Sequence, residues 1–262
     1  MNGIVIAVVV VVIIGLICSV ILTIAAKKFE VPVDERVSNV RECLPGANCG
    51  ACGYAGCDSY AEAVVADPSI GTSLCVPGGA AAAQGIAEVL GVAAGEVVPM
   101  VAYVKCNGTN ENTEDKFQWL GDKTCKGAKL MFGSKNSCTY GCIGFGDCVG
   151  VCDNEAIDIV NGVARIYSDF CIGCAKCQKT CPNGVIDMIR KDATVRLTCN
   201  NKDKGKAAMS VCKVSCIACG KCAKTAEEAE SITMDSNLPV IDSAKVTNGQ
   251  AVIDSCPRKC LK

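Results

Sequence analysis

The chain has 262 residues, half of them hydrophobic, yet only five Phe, five Tyr and one Trp, so a large aromatic core is not available to it. It carries 23 Cys, no His and a formal net charge of −1 at pH 7. The absence of His excludes Cys/His zinc fingers and His-based acid–base or triad chemistry, and the balanced charge gives no general case for nucleic-acid binding.

Ile4 to Ala26 holds no charged residue and is dominated by Val and Ile. Crossing a hydrocarbon layer takes roughly 20 apolar residues, so residues 1–26 are predicted to form a transmembrane helix. Lys27 and Lys28 follow the run and no Lys or Arg precedes it. The positive-inside rule then predicts a single-pass protein of the cell membrane with residues 27–262 in the cytoplasm. A cleaved signal peptide would open on a basic stretch and use a shorter apolar region, and a buried core helix would show a polar face. The cytoplasm is reducing, which disfavours disulfides and suits metal-bound thiolates. Residues 27–36, with VPVDER at 31–36, read as a linker.

Residues 37–99 are predicted to form a small [4Fe–4S] domain. LPGANCGACGYAGC supplies Cys49, Cys52 and Cys57, and Cys75 follows at a distance. Cubane irons need thiolates from several directions; a tight Gly-rich loop supplies three and a separate segment the fourth. Zinc sites more often use two separated C-x2-C pairs. Ala80–Leu90 reads as a short helix. Residues 100–137 read as a connecting region, with a surface loop over Asn107–Lys116.

Residues 138–192 are predicted to form a two-cluster ferredoxin domain. Cys171, Cys174, Cys177, Cys181 and Pro182 make the run C-x2-C-x2-C-x3-C-P, in which the fourth Cys ligates the neighbouring cluster. Cys138, Cys142, Cys148 and Cys152 form a looser copy, with Asp153 where Pro is usual. Crossing the fourth ligands predicts one cluster on Cys138, Cys142, Cys148 and Cys181 and another on Cys171, Cys174, Cys177 and Cys152. CDNEAIDIV after the first run matches CPNGVIDMI after the second, an internal repeat that predicts a doubled β-α-β unit.

Residues 193–262 are predicted to be a second ferredoxin domain that retains one cluster. Cys216, Cys219 and Cys222 repeat the spacing, and Ala226 stands at the fourth position. Val246, Gly249, Val252, Cys256 and Pro257 fall on the same frame as Cys171, Cys174, Cys177, Cys181 and Pro182. The crossed-ligand rule leaves one site whole, Cys216, Cys219, Cys222 and Cys256. It leaves the other wholly missing, at Ala226, Val246, Gly249 and Val252.

The expected cofactors are therefore four [4Fe–4S] clusters, about sixteen irons in all. Cys18 reads as a small apolar residue of the anchor, and Cys43 and Cys260 show no evident partner. Cys106, Cys125, Cys199 and Cys212 fit packing, a local thiol pair or a further metal site; packing or a thiol pair is the expectation. Four thiolates saturate a cubane and leave no iron open to substrate. No G-x-G-x-x-G follows a strand, so NAD or flavin binding on this chain is unsupported. Single-electron transfer is what remains, with no catalytic side chain of its own. Between Arg190 and Lys224 nine basic residues face two acidic ones. The strip that includes Lys202, Lys204, Lys206, Lys213, Lys221 and Lys224 can steer an acidic ferredoxin or be a solvated loop.

The apolar anchor, LPGANCGACGYAGC with its distant Cys, CTYGCIGFGDCVGVC and CIGCAKCQKTCP together resemble the B subunits of the Rnf complexes over essentially the whole chain. The resemblance implies an α+β protein of one transmembrane helix, a small [4Fe–4S] domain and ferredoxin-like modules. It also implies part of a translocase: a membrane complex that oxidises reduced ferredoxin, delivers electrons to partner subunits and couples this to Na⁺ or H⁺ transport. The alternatives are an electron-carrier subunit of another membrane oxidoreductase and a structural metal-binding protein.

Overall fold

The computed structural model of the chain describes residues 2–28, 34–67, 69–228 and 230–262. Half of the linker expected at 27–36, namely 29–33, lies outside the described residues. The fold mixes helices and short strands behind one N-terminal apolar helix.

Helix α1 (Asn2–Lys28) carries the apolar run. Its stretch Val5–Ala25 is long and apolar enough to cross a bilayer, and none of it is buried against the rest of the chain. A helix satisfies its backbone polar groups internally, as lipid demands. The Thr23 hydroxyl does the same locally by donating to the Ser19 carbonyl at 2.8 Å.

The first globular unit is three helices: α2 (Glu35–Cys43), α3 (Cys57–Ala66) and α4 (Gly79–Leu90). Asp34 caps α2 by accepting the Arg36 amide, which supplies an otherwise orphaned helix-end donor with a partner. The sequence GAAAAQGIAEVL gives α4 a small-residue face, and Gly91, at φ +66°, closes it in the left-handed conformation common after helices. Val40, Tyr60, Val64 and Ile86 are buried to within 1% and make the core. The Tyr60 hydroxyl donates to the Gly71 carbonyl at 2.8 Å, so its burial leaves no unpaired polar group.

The second unit runs β1 (Met100–Val104), α5 (Cys125–Phe132), α6 (Asp147–Gly150), β2 (Ile157–Val160), β3 (Val163–Ile166), α7 (Lys176–Thr180) and β4 (Ile186–Arg190). Strands β2 and β3 form a hairpin with Ile157 opposite Ile166. Its turn is Asn161-Gly162, both at positive φ, the chemistry a two-residue hairpin demands. Strands β1 and β4 pair antiparallel, Met100 opposite Arg190 and Val104 opposite Ile186. The stretch 100–137, read from sequence as connecting, thus contributes a strand and a helix to this unit.

The third unit repeats the plan with α8 (Gly205–Val211), α9 (Lys221–Thr225), β5 (Ile232–Asp235), β6 (Leu238–Ile241) and α10 (Gly249–Asp254). Strands β5 and β6 form the hairpin. The ends of the unit pair through Leu197 and Leu261, and Arg196 and Lys262 exchange both backbone hydrogen bonds. Val246 and Val252 are buried in its core with Ala226 packed against them. A Cβ on Gly249 would press on Thr194 and Val195 at 3.0 Å. The four positions where the frame lacks cysteine are filled by apolar packing.

The two units are joined through the segment 107–116, for which the sequence predicts a surface loop. Thr109 and Thr113 are buried. The Thr113 hydroxyl donates to the Val211 carbonyl at 2.8 Å, and the Lys213 amide donates to the Asn112 carbonyl at 2.8 Å. Asn200 adds side-chain bonds to the carbonyls of Tyr140 and Asn183.

Gly144 has φ +83°, and a Cβ there would collide with the Gly162 carbonyl oxygen in the hairpin turn. Gly144→Ala is expected to cost about 1–3 kcal/mol for the backbone strain alone, read as a lower thermal midpoint by circular dichroism. Gly150→Ala, with open space at its Cβ, is expected to leave the midpoint within error of the parent chain.

Candidate metal centres

All 23 cysteines are free thiols. Cys49 and Cys52 stand in the loop between α2 and α3, Cys57 opens α3, and Cys75 lies before α4. Burial pushes the Cys75 thiol up, and the nearby thiols of Cys57, Cys52 and Cys49 push the same way. Cys57 and Cys75 are buried in the core of this unit, with Cys52 packed against it. The Asn48 side chain accepts the Cys57 amide at 2.8 Å and so fixes the end of the loop against α3.

Cys152, Cys171, Cys174 and Cys177 line one cavity of about 350 Å³, its mouth included. Burial and then the charges of Cys171, Cys174 and Cys152 push Cys177 up to about 11. The Ala102 amide of β1 points at the Cys171 sulfur at 3.4 Å, and the Ala156 amide at the Cys152 sulfur at 3.3 Å.

Cys142 and Cys148 are buried in one core cluster with Cys181 packed against it, and Cys125 lies in a neighbouring cluster with Ile143 and Phe145. Cys148 is pushed up to about 12 by burial, then by Cys125 and Cys181. Cys142 is pushed up to about 11 by burial, with Cys125 and Cys148 adding to it. Cys125 opens α5, where Asp147 accepts the amides of Cys125 and Lys126 at 2.8 and 3.0 Å. Burial raises the Cys125 thiol, and the backbone at Asp147, Phe145 and Gly146 acts against the rise. Cys138 lines a cavity with Cys106, Cys142, Cys199 and Cys212, and all five are buried.

Cys216, Cys219, Cys222 and Cys256 line one cavity of about 310 Å³, mouth included, in the third unit. Cys260 lines it too, with its sulfur 3.4 Å from that of Cys256. Cys260 holds the Cys216 thiol below its ordinary value, while Cys216, burial and Cys256 push Cys260 up. Sequence spacing found no partner for Cys260, because the chain end that carries it is brought in by the Leu197–Leu261 pairing. Cys43 donates to the Asn39 carbonyl and packs against Gly85 of α4, a helix-packing role.

The donor set fits a thiolate-held cluster. Among the described residues no group of three or more His, Cys, Asp or Glu is placed to hold a single metal ion. Several of the thiols instead line cavities in groups of four or five. Backbone amides point at several of the sulfurs, as negative charge on cluster and thiolates requires.

A family model described as a putative Fe-S cluster matches residues 44–77, and one described as a 4Fe-4S binding domain matches residues 164–187. The B subunit of the Na⁺-translocating ferredoxin:NAD⁺ oxidoreductase complex of Acetobacterium woodii is 38% identical over all of this chain and 78% of its own length. The B subunit of the proton-translocating ferredoxin:NAD⁺ oxidoreductase complex of Clostridium ljungdahlii is 41% identical over all of this chain and 93% of its own. The B subunit of an ion-translocating oxidoreductase complex of Methanosarcina acetivorans is 36% identical over 95% of this chain and 94% of its own.

Because Asp147 holds the end of α5 that carries Cys125, Asp147→Ala is expected to lower stability by about 1–2 kcal/mol. Asp147→Asn, which keeps one acceptor oxygen, is expected to lose less. Thermal unfolding of the two variants beside the parent checks this.

Proposed function

The chain belongs to the family of B subunits of ion-translocating oxidoreductase complexes, and on that premise we propose that it takes electrons from reduced ferredoxin. It delivers them to partner subunits of an Rnf-type complex that couples the transfer to Na⁺ or H⁺ translocation. The observation that carries this reading is the gathering of thiols around cavities, Cys152, Cys171, Cys174 and Cys177 around one and Cys216, Cys219, Cys222, Cys256 and Cys260 around another, in a chain with no His.

Thiolate-held [4Fe–4S] clusters take up and give back one electron at a time. Cys49, Cys52, Cys57 and Cys75 would hold the first cluster, and Cys152, Cys171, Cys174 and Cys177 the third. Cys216, Cys219, Cys222 and Cys256 would hold the fourth, with Cys260 against it. The second would be held by Cys142, Cys148, Cys181 and Cys125, so that Cys125 replaces Cys138. The frame of Cys171, Cys174 and Cys177 laid on the first run gives Cys142, Phe145 and Cys148. Cys125 would take the place of the missing middle thiol, and Phe145 itself packs against the core cluster that holds Cys125. Four protein thiolates leave each cluster without an open position, and the amides on the sulfurs stabilise the added negative charge.

The second and third units are ferredoxin-like modules of the β-α-β, β-α-β kind, the second beginning near residue 100 rather than 138. The β1–β4 and β2–β3 pairings support this. Lys27 and Lys28 beside the apolar run support a cytoplasmic position for all three units. Ferredoxin would dock on the third unit. Lys202, Lys204, Lys206, Lys213, Lys221 and Lys224 are exposed there, as is the candidate ligand Cys219. Among the described residues none of these lysines is paired with a carboxylate.

Reversing Lys202, Lys204 and Lys206 to Glu is expected to slow the oxidation of reduced ferredoxin on the order of tenfold at low salt, with the difference shrinking as salt is added. An unchanged stopped-flow rate at low salt removes the docking site. Anaerobic iron analysis tests the ligand assignment: Cys125→Ala is expected to lose about four irons per chain, and full iron retention removes Cys125 from the second cluster.

A further inference from the structure

We propose that Cys106, Cys138, Cys199 and Cys212 hold a fifth [4Fe–4S] cluster at the junction of the second and third units. The proposal rests on the reading that the converging thiols of this chain hold such clusters, and it goes beyond it in site and number.

The four come from four separate places. Cys106 follows β1, Cys138 precedes the first ferredoxin run, Cys199 lies beside the paired ends of the third unit, and Cys212 follows α8. All are 7–9% exposed, and they line one cavity of about 360 Å³, mouth included. That matches the roughly 350 and 310 Å³ around the third and fourth thiol sets.

Two of the four sulfurs are each met by two backbone amides. Cys106 accepts Gly108 at 3.4 Å and Cys142 at 3.3 Å. Cys199 accepts Asn201 at 3.4 Å and Cys216 at 3.2 Å. Burial raises the Cys138 and Cys212 thiols, with the backbone at Tyr140 and Gly141 and at Val214 acting against the rise. Four buried thiols with no disulfide among them do not need this many donors, but four thiolates on a cluster do. Asn201, 1% exposed, lines the same cavity, and its Nδ2 has no acceptor in the protein. A cluster sulfide or a ligating thiolate there would give that donor its partner.

The site is also built twice over. Each unit contributes a Cys-Asn pair at its start, Cys106-Asn107 and Cys199-Asn200, and a second Cys four residues before its ferredoxin run, Cys138 before Cys142 and Cys212 before Cys216. In both units the amide of the first Cys of the run donates to the sulfur of the Cys-Asn pair. Two half-sites that cannot close alone meet across the junction. The fifth site consequently touches the second thiol set through Cys142 and the fourth through Cys216, by one hydrogen bond on either side. It bridges the two modules and removes the gap that four clusters would leave between them.

Native mass spectrometry of the anaerobically prepared full chain in detergent, beside iron and sulfide analysis, tests it. The expected result is five clusters and about twenty irons per chain. In the Cys199→Ala/Cys212→Ala chain four clusters and about sixteen irons are expected, while Cys43→Ala changes neither figure. Four clusters in the parent chain, zinc in place of the fifth, or a double variant that keeps all its iron overturns the proposal. If the double variant does not fold, the parent's cluster count decides alone. Failure of the electron-transfer reading looks different: full iron content in a chain that reduced ferredoxin does not reduce.

Discussion

Buried sulfur organises the interior of each globular unit, and the rest of the chain is arranged to bring thiols together and aim amides at them. With few large side chains to bury, the units cannot draw much stability from apolar area. Their cores are instead threaded through with cysteine: Cys57 and Cys75 in the first, Cys142, Cys148 and Cys177 in the second, Cys199 and Cys216 in the third. Thiols this deeply buried resist ionisation, because burial penalises the charged form before any neighbour acts. Iron held by these thiolates would compensate that penalty.

The order of the sites along the molecule follows from a few contacts between them. Lys179 on α7 donates to the carbonyls of Cys49 and Gly50, fastening the first thiol set to the second unit. Cys148 faces Cys177 as well as its own set, so the second and third sets are neighbours. The Cys142 and Cys216 amides then reach the two sides of the junction site. The sets form a series from the unit next to the anchor to the lysine-rich third unit. That arrangement suits a protein that collects electrons from a soluble donor and passes them toward membrane partners.

Local spacing was enough to bring out whatever one loop holds. Cys49, Cys52 and Cys57, the Cys171 run and the Cys216 run are each a few residues long, and the crossed fourth member follows from a repeat visible in the sequence. The vacated frame at Ala226, Val246, Gly249 and Val252 was legible for the same reason, and those positions are apolar core. Spacing favours Cys138 over Cys125 because Cys138 stands nearer to the run in sequence. The 0, 3, 6, 10 frame falls on Cys142, Phe145, Cys148 and Cys152, and it is the Phe145 position that the proposed Cys125 ligand would serve. Cys106, Cys199 and Cys212 were out of reach, since their meeting depends on how two modules dock, which no spacing encodes. The resemblance of VKCNG to LTCNN was the one trace of it. Strand β1 was passed over for a similar reason: its partner β4 lies more than eighty residues on.

The most direct measurement is anomalous diffraction at the iron edge from anaerobically grown crystals of the chain in its complex. The account predicts five compact iron peaks, each enclosed by four cysteine sulfurs, one of them among Cys106, Cys138, Cys199 and Cys212. Iron-free thiols or sulfur–sulfur bridges at Cys49, Cys171 or Cys216 would contradict it.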